Sequence, residues 1–81
     1  MEIKVRFFAS LTDITGLSET TLILEDGADV ERAFAALCER WPALKPRLDS
    51  LRPAVNAKFC EGNRTLSNND ELALIPPVSG G

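Results

Sequence analysis

The chain contains no histidine and no tyrosine. Those absences remove the commonest general base and the phenolic acid, so self-contained acid–base catalysis is not expected. Two cysteines, Cys38 and Cys60, make neither a disulfide framework nor a metal site. Long apolar runs are missing too. Runs such as Phe7-Phe8-Ala9 and Leu22-Ile23-Leu24 are far too short for a signal-peptide core or a membrane span, and Lys4 and Arg6 interrupt the start. A cytoplasmic protein without membrane association is expected. Lysines and arginines do not cluster and the formal net charge is -3. Phosphate neutralisation needs clustered cations, so nucleic acid is not an expected partner. There is no Gly-rich phosphate loop of the GxxxxGKS type, no repeat, no linker and no low-complexity segment.

What remains is ordinary globular composition: 81 residues, 44% hydrophobic and 26% charged. That length predicts one domain with a modest core. Met1 to Phe8 alternates, with Met1, Ile3, Val5 and Phe7 on one face and Glu2, Lys4, Arg6 and Phe8 on the other. Period two predicts a strand with one buried face, and Phe8 is an aromatic on the charged side. Ala9 to Thr15 suits a short helical turn stopped by Gly16. Glu19 to Leu24 predicts a second strand, antiparallel to the first across a short connection. Asp29 is a good N-cap for a helix whose stripe is Val30, Ala33, Phe34, Leu37, Cys38 and Trp41, ended by Pro42. Ala43 to Pro53 reads as an irregular or one-turn connection. Ala54 to Cys60 predicts a third strand, Arg64 to Leu66 a short one, and Glu71 to Ile75 the last. The order is β-β-α-β-β-β. One helix cannot cover both faces of a sheet, so the expected fold is an α+β roll with a mixed sheet of about five strands and one main helix on one face. With the first and last strands parallel at the sheet centre, this is a β-grasp, the ubiquitin-like fold.

After the domain expected at residues 1–75, the chain closes with a tail at 76–81: Pro76-Pro77-Val78-Ser79-Gly80-Gly81. Two prolines forbid further sheet pairing and stiffen the backbone. Two glycines follow, without side chains. Extended, the tail reaches about 20 Å. Gly-rich termini are often merely frayed, but a frayed end has no need of prolines to hold it straight. A slim stalk ending in a bare carboxylate would pass through a channel that rejects a Cβ. Prolines lower the ordering cost of about 1–2 kcal/mol per residue. A carboxylate is a poor electrophile, so acyl chemistry at Gly81 needs activation. An acyl-adenylate supplies the leaving group, and a sulfur donor then gives a thiocarboxylate. Nothing in this chain performs those steps, which makes the domain a carrier loaded by partners.

Four segments carry a resemblance: Val5-Arg6-Phe7-Phe8-Ala9 with Gly16 following, Ala54-Val55-Asn56, Asp70-Glu71-Leu72-Ala73, and the closing Pro76-Pro77-Val78-Ser79-Gly80-Gly81. In this the chain resembles the small, sulfur-carrying subunits of molybdopterin synthase, over its whole length. The resemblance implies a β-grasp fold and a non-catalytic subunit with no permanently bound cofactor. It implies that an E1-like enzyme consumes ATP to adenylate Gly81, that a persulfide donor makes the thiocarboxylate, and that the tail enters the large subunit of a heterotetramer. There the sulfur passes to cyclic pyranopterin monophosphate, building the dithiolene of molybdopterin. It also implies that Phe8, Phe59 and Ile75 form an apolar docking surface for both partners. Members of the family often carry an Arg-Glu pair in the first turn after the opening strand; here that turn reads Ser10-Leu11-Thr12-Asp13-Ile14-Thr15.

Other readings stay open. Phe8, Phe59 and Ile75 could be core, and a bulge could flip the face of Phe59. Phe34, Trp41 and Cys38 read as core from their helical spacing. Cys60 has no neighbouring cation in sequence to activate it, and Lys58 reads as a solvated surface lysine. As whole functions, a sulfur carrier for thiamine thiazole synthesis, a protein modifier conjugated through Gly81 and a binding module with an inert tail are the alternatives. The chain length and Pro76-Pro77 speak against the first of these.

Overall fold

The computed structural model describes residues 1–77. Its elements are β1 (Glu2–Phe7), α1 (Ser10–Thr15), β2 (Glu19–Ile23), α2 (Val30–Arg40), a 3-10 segment (Pro42–Ser50), β3 (Arg52–Val55), β4 (Lys58–Phe59) and β5 (Glu71–Ile75). The sheet order is β2-β1-β5-β3-β4. β1 pairs antiparallel with β2 and parallel with β5, so the first and last strands lie side by side at the centre. This central parallel pair makes the roll a β-grasp, as expected for that pairing.

Alternation sets the two faces. Ile3, Val5 and Phe7 of β1 and Leu72 and Leu74 of β5 are buried and meet Val30, Ala33 and Leu37 of α2. Removing each such side chain from water contributes roughly 1.5–3 kcal/mol. The rest of the α2 stripe, Phe34, Cys38 and Trp41, packs half-buried at the core margin. Trp41 stands edge-on to Phe7 at 5.5 Å, and Arg40 covers it from outside at 4.5 Å.

The helix ends follow their caps. The Asp29 side chain accepts the Arg32 N–H at 2.9 Å, and the left-handed Gly16 (φ 75°) closes α1 by donating to the Thr12 carbonyl at 2.8 Å. Pro42 disfavours helical backbone at the preceding residue, and Trp41 is accordingly extended at φ -130°. The chain beyond is more regular than an irregular or one-turn connection. Proline fits the φ of a 3-10 turn, and Leu44, Leu48 and Leu51 are spaced to drop onto the core, so Pro42–Ser50 winds as one segment.

Two strand expectations are corrected. Ala54 to Cys60 is not one strand but the hairpin of β3 and β4, joined by Asn56 and Ala57 at φ 51° and 71°. Two positive φ values in a two-residue loop make a type I′ turn, whose twist matches the flanking strands. Asn56 is tied across to β5: its amide donates to Asp70 Oδ1 at 2.9 Å, and its Oδ1 accepts the Glu71 N–H at 3.0 Å. Arg64 to Leu66 is not a sheet strand. It crosses the start of α2, where the Gly62 and Arg64 carbonyls accept the Glu31 and Val30 N–H groups at 2.9 and 3.0 Å. Those donors have no partner inside the helix, and that need outweighs sheet pairing here.

Ala57 holds a left-handed conformation that suits glycine. Ala57→Gly is expected to stabilise the fold by about 1 kcal/mol, read as a higher urea midpoint with unchanged slope; an unchanged or lower midpoint contradicts the turn assignment. Burial pushes the Cys38 thiol above its ordinary value, with Lys45 pulling the other way. A raised folded-state value means the folded chain holds the proton that the unfolded chain loses first, so stability falls as pH climbs through the unfolded value toward the folded one. Cys38→Ala should therefore lose less stability than the parent between about pH 8 and pH 10. Parallel loss in both chains would remove Cys38 from the alkaline transition.

Candidate functional site

The sheet face away from α2 is built by strand register. Arg6 pairs with Ala73, Ala54 pairs with both Ala73 and Phe59, and Arg52 pairs with Ile75. Paired residues share a face, so Phe59, Ala54, Ala73, Ile75, Arg6 and Arg52 lie together there. Phe8, two residues beyond Arg6, continues that side. The register thus places Phe59 with the open face, where it is 55% exposed rather than buried in the core. Phe8 is 41% exposed and Ile75 is half-buried.

Both aromatic rings carry an arginine. The Arg52 guanidinium lies 4.0 Å from the Phe59 ring centre, and that of Arg6 lies 5.8 Å from Phe8. Arg6 also meets Glu71 at 3.3 Å, an exposed pair that contributes little to stability. The face therefore offers apolar rings whose flat sides are already engaged by cations.

At one end of the sheet, the parallel strands β1 and β5 finish together. There a groove of about 680 Å³ is lined by Phe8, Ala9, Ser10, Arg47, Ser50, Ile75, Pro76 and Pro77. The expected docking residues Phe8 and Ile75 thus share one depression with the two prolines that open the tail. Ala9 is strained at φ 51°, the cost of turning from β1 directly into α1. Val78, Ser79, Gly80 and Gly81 lie outside the described residues, so the expected extended tail and its carboxylate are not part of this geometry.

Phe59 sits apart, on the β4 edge, and does not line that groove. Cys60 is half-buried with its Sγ 3.9 Å from the Pro53 carbonyl oxygen. Lys58 is exposed. Arg47 and Ser50 also line the groove, and nothing in the sequence pattern singles them out. Arg47 comes from the 3-10 segment and donates from Nη2 to Ser10 Oγ at 2.6 Å. The first turn, which has no arginine of its own, thereby receives one from a segment 37 residues away. No periodicity marks Arg47; the prolines around it suggested an irregular connection. Among the described residues no helix is long and apolar enough to cross a membrane.

Comparison with known proteins agrees with this architecture. A molybdopterin synthase sulfur carrier subunit from Chlamydomonas reinhardtii is 36% identical over 83 residues, covering 100% of both chains. The crystal structure of SAMP1 from Haloferax volcanii superposes with a TM-score of 0.92 at 29% identity, again covering 100% of each chain. A chain in the complex of subunits 1 and 2 of the molybdopterin-converting factor from Helicobacter pylori superposes with a TM-score of 0.72 at 26% identity over 100% of both. Residues 5–81 match the ThiS family, and with nearly the whole length so matched, the chain belongs to the ThiS family.

Proposed function

We propose that this chain is the sulfur carrier small subunit of molybdopterin synthase. The carboxylate of Gly81 attacks the α-phosphate of ATP on an E1-like activating enzyme, releasing pyrophosphate. The terminal sulfur of a persulfide donor then displaces AMP to give an acyl disulfide, and a thiol of the donor system cleaves its S–S bond, leaving the thiocarboxylate on Gly81 and a disulfide on the donor. Pro76, Pro77, Val78, Ser79 and Gly80 pass into the large subunit, and Gly81 gives its sulfur to cyclic pyranopterin monophosphate. Two deliveries form the dithiolene of molybdopterin. The large subunit forms the central dimer of a heterotetramer, with a small subunit on each side.

One observation carries most of this reading. The base of the tail, Pro76 and Pro77, shares a groove with Phe8 and Ile75. A partner that seats its apolar surface there is guided onto the tail that follows. The full-length likeness to a molybdopterin synthase sulfur carrier subunit supports it further. The chemistry of loading and delivery falls to the partners. The role of this chain is to hold an acyl terminus where others load and unload it, with no cofactor bound permanently and ATP consumed by the activating enzyme. ATP-dependent loading fits the cytoplasm as its place of work.

The SAMP1 likeness favours one second reading, a protein modifier joined through Gly81. Incubation with ATP, an E1-like enzyme and a sulfur donor, followed by intact mass measurement, separates the two. The carrier gains the mass difference of one oxygen replaced by sulfur and forms no conjugates. A ladder of higher-mass conjugates without the thiocarboxylate would establish the modifier instead. Deleting Gly81, or fusing a tag behind it, is expected to abolish sulfur delivery while the fold and the large-subunit complex persist. Full delivery from a blocked terminus rules out the mechanism. Phe8→Asp places a charge in the groove and should weaken large-subunit binding at least tenfold; an unchanged affinity excludes Phe8 from the interface.

A further inference from the structure

We infer that Arg47 is a specificity-determining residue of the docking groove, and that the surface seated there carries a carboxylate aimed at it. This rests on the functional reading above and names a chemical requirement on the partner.

Arg47 lines the same depression as Phe8, Ile75, Pro76 and Pro77. A partner that covers those apolar residues also covers the guanidinium. Of its five N–H donors, one reaches Ser10 Oγ at 2.6 Å, and among the described residues no carboxylate lies within ion-pair distance of Arg47. In the free protein, water serves the remaining donors, because Arg47 is half-buried rather than enclosed. Docking removes that water. A cation covered without an acceptor is heavily penalised, so the groove rejects a purely apolar surface. A partner with a carboxylate at that point forms a charge-assisted, two-pronged pair in surroundings made apolar by Phe8, Ala9 and Ile75.

Anchoring adds to the effect. The Ser10 bond holds the guanidinium before the partner arrives, so less side-chain freedom is lost on pairing. The neighbouring arginines differ in this respect. Arg6 is already paired with Glu71 and Arg52 is stacked on Phe59. Arg47 is the groove-lining arginine with donors to spare.

The test measures affinity of the full chain for the large subunit from the same genome by calorimetry, at low and at physiological salt. Parent binding tests the functional reading itself; its absence would sink that reading before Arg47 is considered. Given parent binding, Arg47→Ala is expected to weaken it about thirtyfold or more and to flatten its salt dependence, and Arg47→Glu to weaken it further. Ser10→Ala removes the anchor but keeps the charge and should cost less than about threefold. If Arg47 merely braced α1, Ser10→Ala and Arg47→Ala would cost the same and the salt dependence would not move, which overturns the proposal. Should Arg47→Ala fail to fold, Arg47→Lys decides. It keeps a charge but loses the two-pronged geometry, and is expected to bind about fivefold more weakly. Parent-like affinity in Arg47→Glu or Arg47→Lys also overturns the proposal.

Discussion

The parallel ladder between Lys4–Phe7 and Glu71–Leu74 holds this molecule together. It joins residues more than sixty positions apart, and both strands bury the same face against α2. With β1 and β5 side by side and running in one direction, their ends coincide, and Phe8 and Ile75 arrive at the same edge of the sheet. The groove is a consequence of that pairing. An antiparallel centre would place Phe8 and Ile75 at opposite ends, and the prolines would emerge far from the apolar surface.

On this frame, charge and hydrophobicity divide the labour. Phe8, Ile75 and the prolines give the groove its apolar lining, and Arg47 is the charge among them; Arg6 and Arg52 lie over the Phe8 and Phe59 rings. Two of the cations are occupied by groups of the chain itself and one is held in place by Ser10. Buried area alone does not set affinity or choice of partner. Discrimination in such a surface comes from groups that are penalised when wrongly covered.

Much of the fold was legible because its signals are local and periodic. Alternation gave β1 and β5, the Asp29 cap and the three-four spacing gave α2, and Gly16 marked the end of α1. The turn at Asn56-Ala57 was not legible, because the expected glycine of such a hairpin is an alanine here, and the run from Ala54 to Cys60 looked continuous. The face of Phe59 depended on that turn. Arg64–Leu66 looked like a strand from its residues, but the unpaired donors of a helix elsewhere in the chain claimed the carbonyls of Arg64 and of Gly62 just before it. Phe8 and Ile75 could be proposed as an exposed pair from alternation and resemblance. Arg47 could not, since its place in the groove arises from tertiary packing of a proline-rich segment. The short segments Ala54-Val55-Asn56 and Asp70-Glu71-Leu72-Ala73, weak as separate motifs, prove to be two halves of one hydrogen-bonded unit through Asn56.

The central place of β5 also orders events during synthesis. The hairpin of β1 and β2 and the helix α2 are made early, yet the inner edge of β1 stays unpaired until Glu71–Ile75 has been made. Closing a contact over so long a stretch is slow compared with local folding, and an open strand edge invites aggregation meanwhile. A polypeptide interrupted before that point lacks the middle of its sheet and cannot settle. The assembly that completes the sheet is therefore the same one that brings Pro76 and Pro77 to its edge, so a stalled or clipped product never forms the groove that they line with Phe8 and Ile75.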